Sequence, residues 1–419
     1  MTSQSTAGSA LLRHGDFLRL WAAQTVSDFG ARITREGLPM MAVMALAATP
    51  GQLGLLAALA YGPGLLVGLA AGDFVDHSQR RPILIATDVI RAAVLITLPL
   101  AAWLHLLSML QVYAAAALVG AGSVLFDIAD HAYLPGLVGK SRVAEANARI
   151  SATESLAEMG GPALAGVLFQ WLTAPVAVAV NAATYVISGL ILARIRTPEP
   201  PHDVTHRRRG WANGVVTGAR TSWNETRVRV MLIQAGTSGL FGGFFGALYI
   251  AYVLRDLGLG PVLLGLGIAS GGLGALAGSA IALPIGRRLG VGPAICVCGA
   301  LAPLGILLIL FSPPGPAWGM ATLAVSQFWG DFLGVIPLIL ATSLRQTLLP
   351  TNVLGRVAAT FRALSGGTMV VGALVGGALG GVLGLRETLT IAVAGLVIGP
   401  VYGMISPLWR VAAMPEGEA

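Results

Sequence analysis

Gly72-Asp73-Phe74-Val75-Asp76-His77-Ser78-Gln79-Arg80-Arg81 is a polar break between two apolar stretches, residues 51–73 and 82–106. About 20 apolar residues cross a bilayer as a helix, so each flank is long enough to span one. Ten further stretches follow the same pattern outward: 18–47, 109–133, 146–171, 174–196, 228–254, 262–286, 291–312, 317–344, 357–383 and 387–409. The whole chain agrees. Of its 419 residues, 55% are hydrophobic and 11% charged, with a mean hydropathy of +0.78. A soluble domain is about 25% charged, so this composition excludes a soluble enzyme, a disordered chain and a secreted disulfide scaffold. The spans show no strand alternation, and helices are the other way to satisfy every backbone group in lipid. The predicted fold is an all-α membrane protein with twelve transmembrane helices.

The basic residues fix an expected topology. Arg13, Arg19, Arg80, Arg81, Lys140, Arg142 and Arg149 fall on one side in the first half. The central loop with its margins, Arg287, Arg288, Arg345, Arg356, Arg362 and Arg410 fall on that same side. Only Arg255 and Arg386 fall opposite, and Arg32, Arg35 and Arg91 lie within spans. The positive-inside rule then places both termini in the cytoplasm and the chain in the cytoplasmic (inner) membrane. It also accounts for the net charge of +7 without a nucleic-acid partner. Residues 1–16 are polar, and no signal peptide is expected.

Residues 197–227 divide the chain. The expected organisation is a tail over 1–17, a six-helix bundle over 18–196, a linker over 197–227, a second bundle over 228–410 and a tail over 411–419. The linker holds Pro198, Pro200 and Pro201, then His206-Arg207-Arg208-Arg209. From Trp211 to Arg229, Trp211, Val215 and Trp223 stand among polar residues, which predicts an interfacial helix; a solvated linker is the alternative. The halves repeat at an offset of 211 residues: Leu53-Gly54-Leu55 against Leu264-Gly265-Leu266, and Ser27 against Ser238. Gly161-Pro162 in span 5 has its counterpart at Gly372-Ala373 in span 11. Two pseudo-symmetric bundles of this kind are typical of transporters with a site near the midplane.

Residues 72–81 resemble the signature loop of the major facilitator superfamily: a glycine, an aspartate four residues on, then paired basic residues. His77 stands where an arginine is usual. A degenerate echo runs from Gly278 to Arg288, with Ala282 in the aspartate position. The resemblance covers Phe17 to Arg410. It is nearest to the branch of macrolide-efflux and enterobactin-exporter proteins, on Phe17-Leu18-Arg19-Leu20-Trp21, Leu134-Pro135 with Asn147, and Leu354-Gly355-Arg356-Val357. It implies a drug/proton antiporter-like exporter driven by the proton gradient. Many such antiporters carry an arginine in span 4, where this chain has none. The resemblance further implies a cytoplasmic latch of Gly72, Asp76, Arg80 and Arg81; Asp127 and Asp130, near the cytoplasmic end of span 4 and close in depth to Arg80, read as its pairing partners, with proton transfer as the alternative. It also implies a smooth seam where spans 2 and 11, and 5 and 8, cross. Glycine rows there (Gly64, Gly68 and Gly72; Gly372, Gly376, Gly380 and Gly384; Gly274 and Gly278) would let backbones approach, either for a rocking motion or for static packing. Gly161-Pro162 resembles part of an antiporter motif; a packing kink is the alternative.

Charges inside spans are costly unless paired or wetted, and so mark function. Asp28, Arg32, Arg35 and Glu36 fall on one stripe of span 1, predicted to line a cavity and take part in substrate or proton handling, with Asp28 as the partner of Arg32; a self-paired structural cluster is the alternative. Glu154 and Glu158, one turn apart on span 5, form a carboxylate pair able to hold a proton, unless Arg149 or Arg91 neutralises them. Asp88 and Arg91 are placed near the cytoplasmic end of span 3. Span 7, the counterpart of span 1, offers Gln234, Thr237 and Ser238, and Asp331 stands in span 10 beside Gln327. No Walker loop is present, no histidine cluster has metal-ligand spacing, and Cys296 and Cys298 read as core hydrophobes. The expected partners are a small molecule and the lipid bilayer, with the monomer as the working unit and no cofactor. The predicted function is proton-coupled export of small hydrophobic or amphipathic compounds. The alternatives are a nutrient importer or uniporter on the same fold, and a non-transporting sensor.

Overall fold

The computed structural model describes residues 11–199 and 211–414. The basic run Arg207-Arg208-Arg209, Pro200 and Pro201 lie outside the described residues. Six helices precede the linker: α1 Gly15–Ala45, α2 Pro50–Asp76, α3 Arg80–Trp103, α4 Met109–Val138, α5 Val143–Trp171 and α6 Ala174–Ala193. Helix α7, Trp211–Asn224, follows it. Then come α8 Thr226–Ala251, α9 Pro261–Leu289, α10 Val291–Leu301, α11 Ile306–Leu310, α12 Pro316–Leu348, α13 Thr351–Leu383 and α14 Leu385–Met404. Span 9 is α10 and α11, joined by a 3-10 turn at Ala302–Gly305. Pro303 lacks the N–H that would continue the helix. Trp329 Nε1 donates to the Leu301 carbonyl at 2.8 Å, satisfying a group beside the break.

Ten segments are long and apolar enough to cross a membrane by length and composition. The other two long helices, α1 (31 residues) and α5 (29 residues), are those that carry the charges. At 1.5 Å per residue each exceeds the roughly 30 Å hydrocarbon layer. Twelve long helical segments therefore stand among the described residues, as the hydropathy pattern predicts.

Local chemistry sets the helix ends. His14 Nδ1 accepts from the Phe17 N–H at 3.0 Å and caps α1. The Gln111 side chain accepts from the Ser108 N–H at 3.0 Å in the capping box of α4. Gly139, Gly290 and Gly384 have φ of 78°, 91° and 96°, the left-handed reversal that glycine adopts without a Cβ penalty.

Contacts divide the chain into two units, residues 1–47 with 59–208 and residues 48–58 with 209–419. Within the first, α1 packs on α5 and α6, and α3 packs on α4 and α6. Within the second, α8 packs on α13 and α14, and α10 packs on α12 and α14. Spans 1·5, 1·6, 3·4 and 3·6 thus recur as 7·11, 7·12, 9·10 and 9·12, which gives the sequence repeat a structural meaning.

Most of the row glycines face a neighbouring helix of their own unit, which is the static-packing alternative, while Gly377 meets Gly54 and Gly380 meets Pro50 where α13 approaches the start of α2. A Cβ at Gly64 would meet Val124 of α4, and one at Gly120 would strike the Ala60 carbonyl of α2. Gly372, Gly376 and Gly380 lie against Leu240, Phe244 and Leu248 of α8. Gly274 and Gly278 lie against the carbonyls of Phe328 and Phe332 in α12. Gly68 faces Val124 in the same way, Gly72 faces open space, and Gly384 is the reversal after α13 rather than part of its row. The reason is close backbone approach inside each bundle, which small residues permit in lipid. The glycines of α2 and α13 that do meet are Gly54 and Gly377, inside the second unit.

A buried ion pair organises the first unit. Arg91 is 1% exposed and Asp88 0%, and their side chains are paired one turn apart on α3. The guanidinium lies between the rings of Phe126 and Tyr185, 4.6 and 4.3 Å from their centroids. It also donates to Ser123 Oγ and Ser27 Oγ, each at 3.3 Å. The pair is therefore part of the core, in the first half of α3. Cys296 and Cys298 are buried free thiols, as expected of core hydrophobes.

At the start of α1, Asp16 accepts from the N–H groups of Arg196 (3.1 Å) and Thr197 (2.8 Å), and from Thr197 Oγ1 (2.6 Å). Burial works against its charge, yet these bonds hold the carboxyl at about 2. A depressed value contributes stability above the unfolded range near 4 that is lost as pH falls through about 2. The tie is thus complete at any physiological pH and is no pH switch.

Two stability outcomes are expected. Gly372→Val should push α13 off the Leu240 carbonyl and abolish a monodisperse peak in size-exclusion chromatography, while Gly72→Ala, facing open space, should leave it unchanged. Arg91→Leu leaves Asp88 buried alone and should cost about 3–5 kcal/mol, read as a lower melting temperature in detergent. Adding Asp88→Leu should restore most of it, since an apolar pair in place of a buried ion pair is often neutral.

Candidate functional site

The charges of α1 and α5 meet because the interface between these helices is pared down to backbone. Gly160 lies against Phe29, and a Cβ at Gly161 would overlap the stem of Arg32. The Gly161-Pro162 step thereby lets Arg32 lie flat on α5 and reach Glu158, one turn earlier. Arg32 pairs with Glu158 Oε2, and Arg35 donates to Glu158 Oε1 and to Glu36 Oε1, both at 3.0 Å. Two arginines and two glutamates form one neutral network, with Tyr61 of α2 in its electrostatic range. The predicted Asp28–Arg32 pair is not made. A partner on a neighbouring helix outcompetes one on the same helix because Glu158 offers both its oxygens to two guanidiniums.

Asp28 instead faces acids. It lies within electrostatic range of Glu154, Asp127 and Asp130, with Arg32 as the basic group among its neighbours. Glu154 is common to all three aspartates. Asp130 is 8% exposed, has Gln24 beside it, and its Oδ1 is buried without a hydrogen-bond partner. The Asp127 carbonyl contacts His131 Nδ1 at 2.7 Å. The Glu154–Glu158 pair is split: Glu158 belongs to the arginines, Glu154 to the acids. Arg149 pairs with Glu145 at 3.0 Å and Arg91 with Asp88.

The predicted latch is also rearranged. Arg80 forms no ion pair with Asp127 or Asp130. Its backbone N–H donates to Glu199 Oε1 and Oε2 at 2.8 and 3.0 Å, so Glu199 caps α3. A carboxylate at a helix N-terminus answers free N–H groups and the dipole together. Arg81 donates to the carbonyls of Leu192 and Ala193 at 3.1 and 2.6 Å, capping the end of α6. Asp76 ends α2, exposed, with no ion pair among the described residues.

In the second unit a cavity of about 880 Å³ opens between α8, α10, α12, α13 and α14. Gln234, Asp331 and Gln327 line it with Met231, Ile306 and Leu338. Gln234 donates to the Gly399 carbonyl at 3.3 Å, and Asp331 lies against Gly271 of α9. Two arginines, Arg345 and Arg362, stand at one end. Glu199, Tyr61, Gln24 and the Phe126–Tyr185 sandwich carry no spacing signal and were not readable as partners. Among the described residues no group of three or more His, Cys, Asp or Glu could hold a metal.

The family model of transmembrane secretion effectors matches residues 6–417. The multidrug efflux pump Tap of Mycobacterium tuberculosis is 26% identical over 351 residues, 81% of each chain. Tap of Mycolicibacterium fortuitum is 25% identical over 353 residues, 81% of this chain and 83% of that one. Two solved structures share the fold. The nucleoside transporter NupG has a TM-score of 0.72 at 12% identity, covering 95% of this chain and 99% of the other. A bacterial homologue of the human lysosomal transporter Spinster has a TM-score of 0.72 at 14% identity, covering 96% and 100%. Helix count, internal repeat and family model converge: the chain belongs to the transmembrane secretion effector family of the major facilitator superfamily, and is a multi-pass membrane transporter rather than an enzyme.

Proposed function

We propose that this transporter exports small hydrophobic or amphipathic compounds in exchange for protons, by alternating access in the cytoplasmic membrane, as a monomer with both termini in the cytoplasm. The similarity to two Tap multidrug efflux pumps supports the direction, and the distribution of basic residues supports the topology.

One observation carries the coupling: Asp28 is surrounded by carboxylates while its neighbouring arginines are engaged elsewhere. Like charges crowded into a wall of low dielectric do not all ionise together. A proton taken up by this cluster relieves the repulsion, and its release restores it. The cluster can therefore exist in two charge states, the requirement for tying proton movement to a conformational step. The Arg32–Glu158–Arg35–Glu36 network holds the helices in register beside it. Glu158 is 47% exposed and Arg35 37% at their side chains. Charges so open call for water beside them, since acyl chains would leave them unsolvated. Gln234 and Asp331 supply sparse polar groups to a largely apolar cavity in the second unit, which suits a lipophilic cargo.

In cells producing the wild type, collapse of the proton gradient should raise ethidium accumulation several-fold. Asp28→Asn should give that raised level without the uncoupler, at normal membrane abundance. Near-wild-type export by Asp28→Asn would show that Asp28 takes no part in coupling. Glu158→Gln should reduce export about tenfold or more and lower thermal stability as well, since it strands two guanidiniums; a loss of transport at unchanged stability would separate Glu158 from the structural network.

A further inference from the structure

The cavity of the second unit has a charge balance that export of neutral compounds does not call for. Its lining holds two guanidinium groups, Arg345 and Arg362, and one carboxylate, Asp331. Asp331 and Arg345 are fourteen residues apart on α12, about 21 Å along the axis at 1.5 Å per residue. Asp331 therefore does not neutralise the arginine end.

Arg345 is held in place. Its guanidinium lies over the Phe361 ring, 4.1 Å from the centroid. Nε donates to the Ala341 carbonyl at 3.2 Å and Nη2 to Thr342 Oγ1 at 3.0 Å. Those contacts fix the plane of the fork and leave Nη1 for something else. Arg362 follows Phe361 directly on α13, is exposed, and its side chain forms no ion pair or hydrogen bond among the described residues. Topology alone asks only that a basic residue lie on the cytoplasmic side. It does not ask for a guanidinium stacked into a cavity wall with a second beside it. A planar, always-charged fork with spare donors suits a carboxylate or a similar oxyanion. Much of the remaining lining, including Leu338 and Phe361, offers an apolar surface to the body that carries it, broken by Gln234 and Gln327.

We propose that Arg345 and Arg362 form an anion subsite, so that the cavity takes amphipathic molecules bearing a carboxylate or similar monoanion on an apolar body. The proposal names a substrate class for the export reading above and rests on it for direction, but not for binding.

Dansylglycine and its methyl ester share an apolar fluorophore and differ in the carboxylate. Fluorescence titration of each against the full chain in phosphatidylcholine nanodiscs leaves no anionic lipid to compete. The acid should bind about tenfold more tightly than the ester. Arg345→Gln with Arg362→Gln should bring the two to parity without weakening the ester. Should the double variant not fold, Arg362→Gln alone, at an exposed position, should cut the preference for the acid at least threefold, and Arg362→Lys should retain most of it. Equal binding of acid and ester by the wild type, no binding of the acid, or an unchanged preference in Arg362→Gln overturns the subsite. Uncoupler-sensitive ethidium export by the wild type, measured in parallel, separates the two readings. Its presence beside equal binding rejects the anion subsite alone, and the absence of uncoupler-sensitive export of both ethidium and dansylglycine rejects proton-coupled export whatever the binding shows.

Discussion

A charge placed in the hydrocarbon layer must be answered by a partner within reach or by water, and α1 carries Asp28, Arg32, Arg35 and Glu36 in little more than two turns. Glu158 answers both arginines from α5. Much of the first unit follows from that bond. It needs α1 and α5 in close contact, which needs Gly160 and Gly161 where bulk would part them. It consumes the bases nearest Asp28 and so leaves the acids to each other. The composition of α1 and α5, too charged to pass as ordinary spans, follows from the same requirement.

The helices were legible because lipid is a severe judge of sequence. A span must be long, apolar and helical, so the hydropathy pattern placed segments close to α1–α6 and to the later helices. The repeat was legible in fragments such as Leu53-Gly54-Leu55 against Leu264-Gly265-Leu266, and it reappears as the same four helix pairings in each unit. The segment 211–229 was legible as a helix from its tryptophans among polar residues. Helix α7 indeed covers 211–224, packed on α13 with Gly218 against the Arg356 carbonyl and Ser222 buried.

Partnership was not legible, and the reason is rotational. A helical wheel tells which residues share a face but not which neighbour that face meets. Asp28 and Arg32 lie one turn apart and so read as a pair, but the side chain that reaches Arg32 comes from 126 positions further along the chain. Arg80 read as a latch to α4, yet its backbone is capped by Glu199 from the loop after α6. The glycine rows show the same limit. Their period announces close packing and is silent on the partner, which proves to be α4 for α2, α12 for α9 and α8 for α13.

The two units spend their polar residues differently. The first buries Arg91 between two aromatic rings, pairs it with Asp88, and gathers six carboxylates and two arginines along α1, α4 and α5. The second keeps a cavity with a single carboxylate and two arginines at one end. The proton exchange proposed above would gain from such a division. Groups that change charge with a proton should be crowded, since crowding makes the charge state responsive. Groups that hold cargo should be sparse, since a broad apolar wall with few fixed polar points accepts many shapes. Gene duplication would give both halves the same scaffold, as the repeated helix pairings show, and divergence of side chains on that scaffold is enough to part the two tasks.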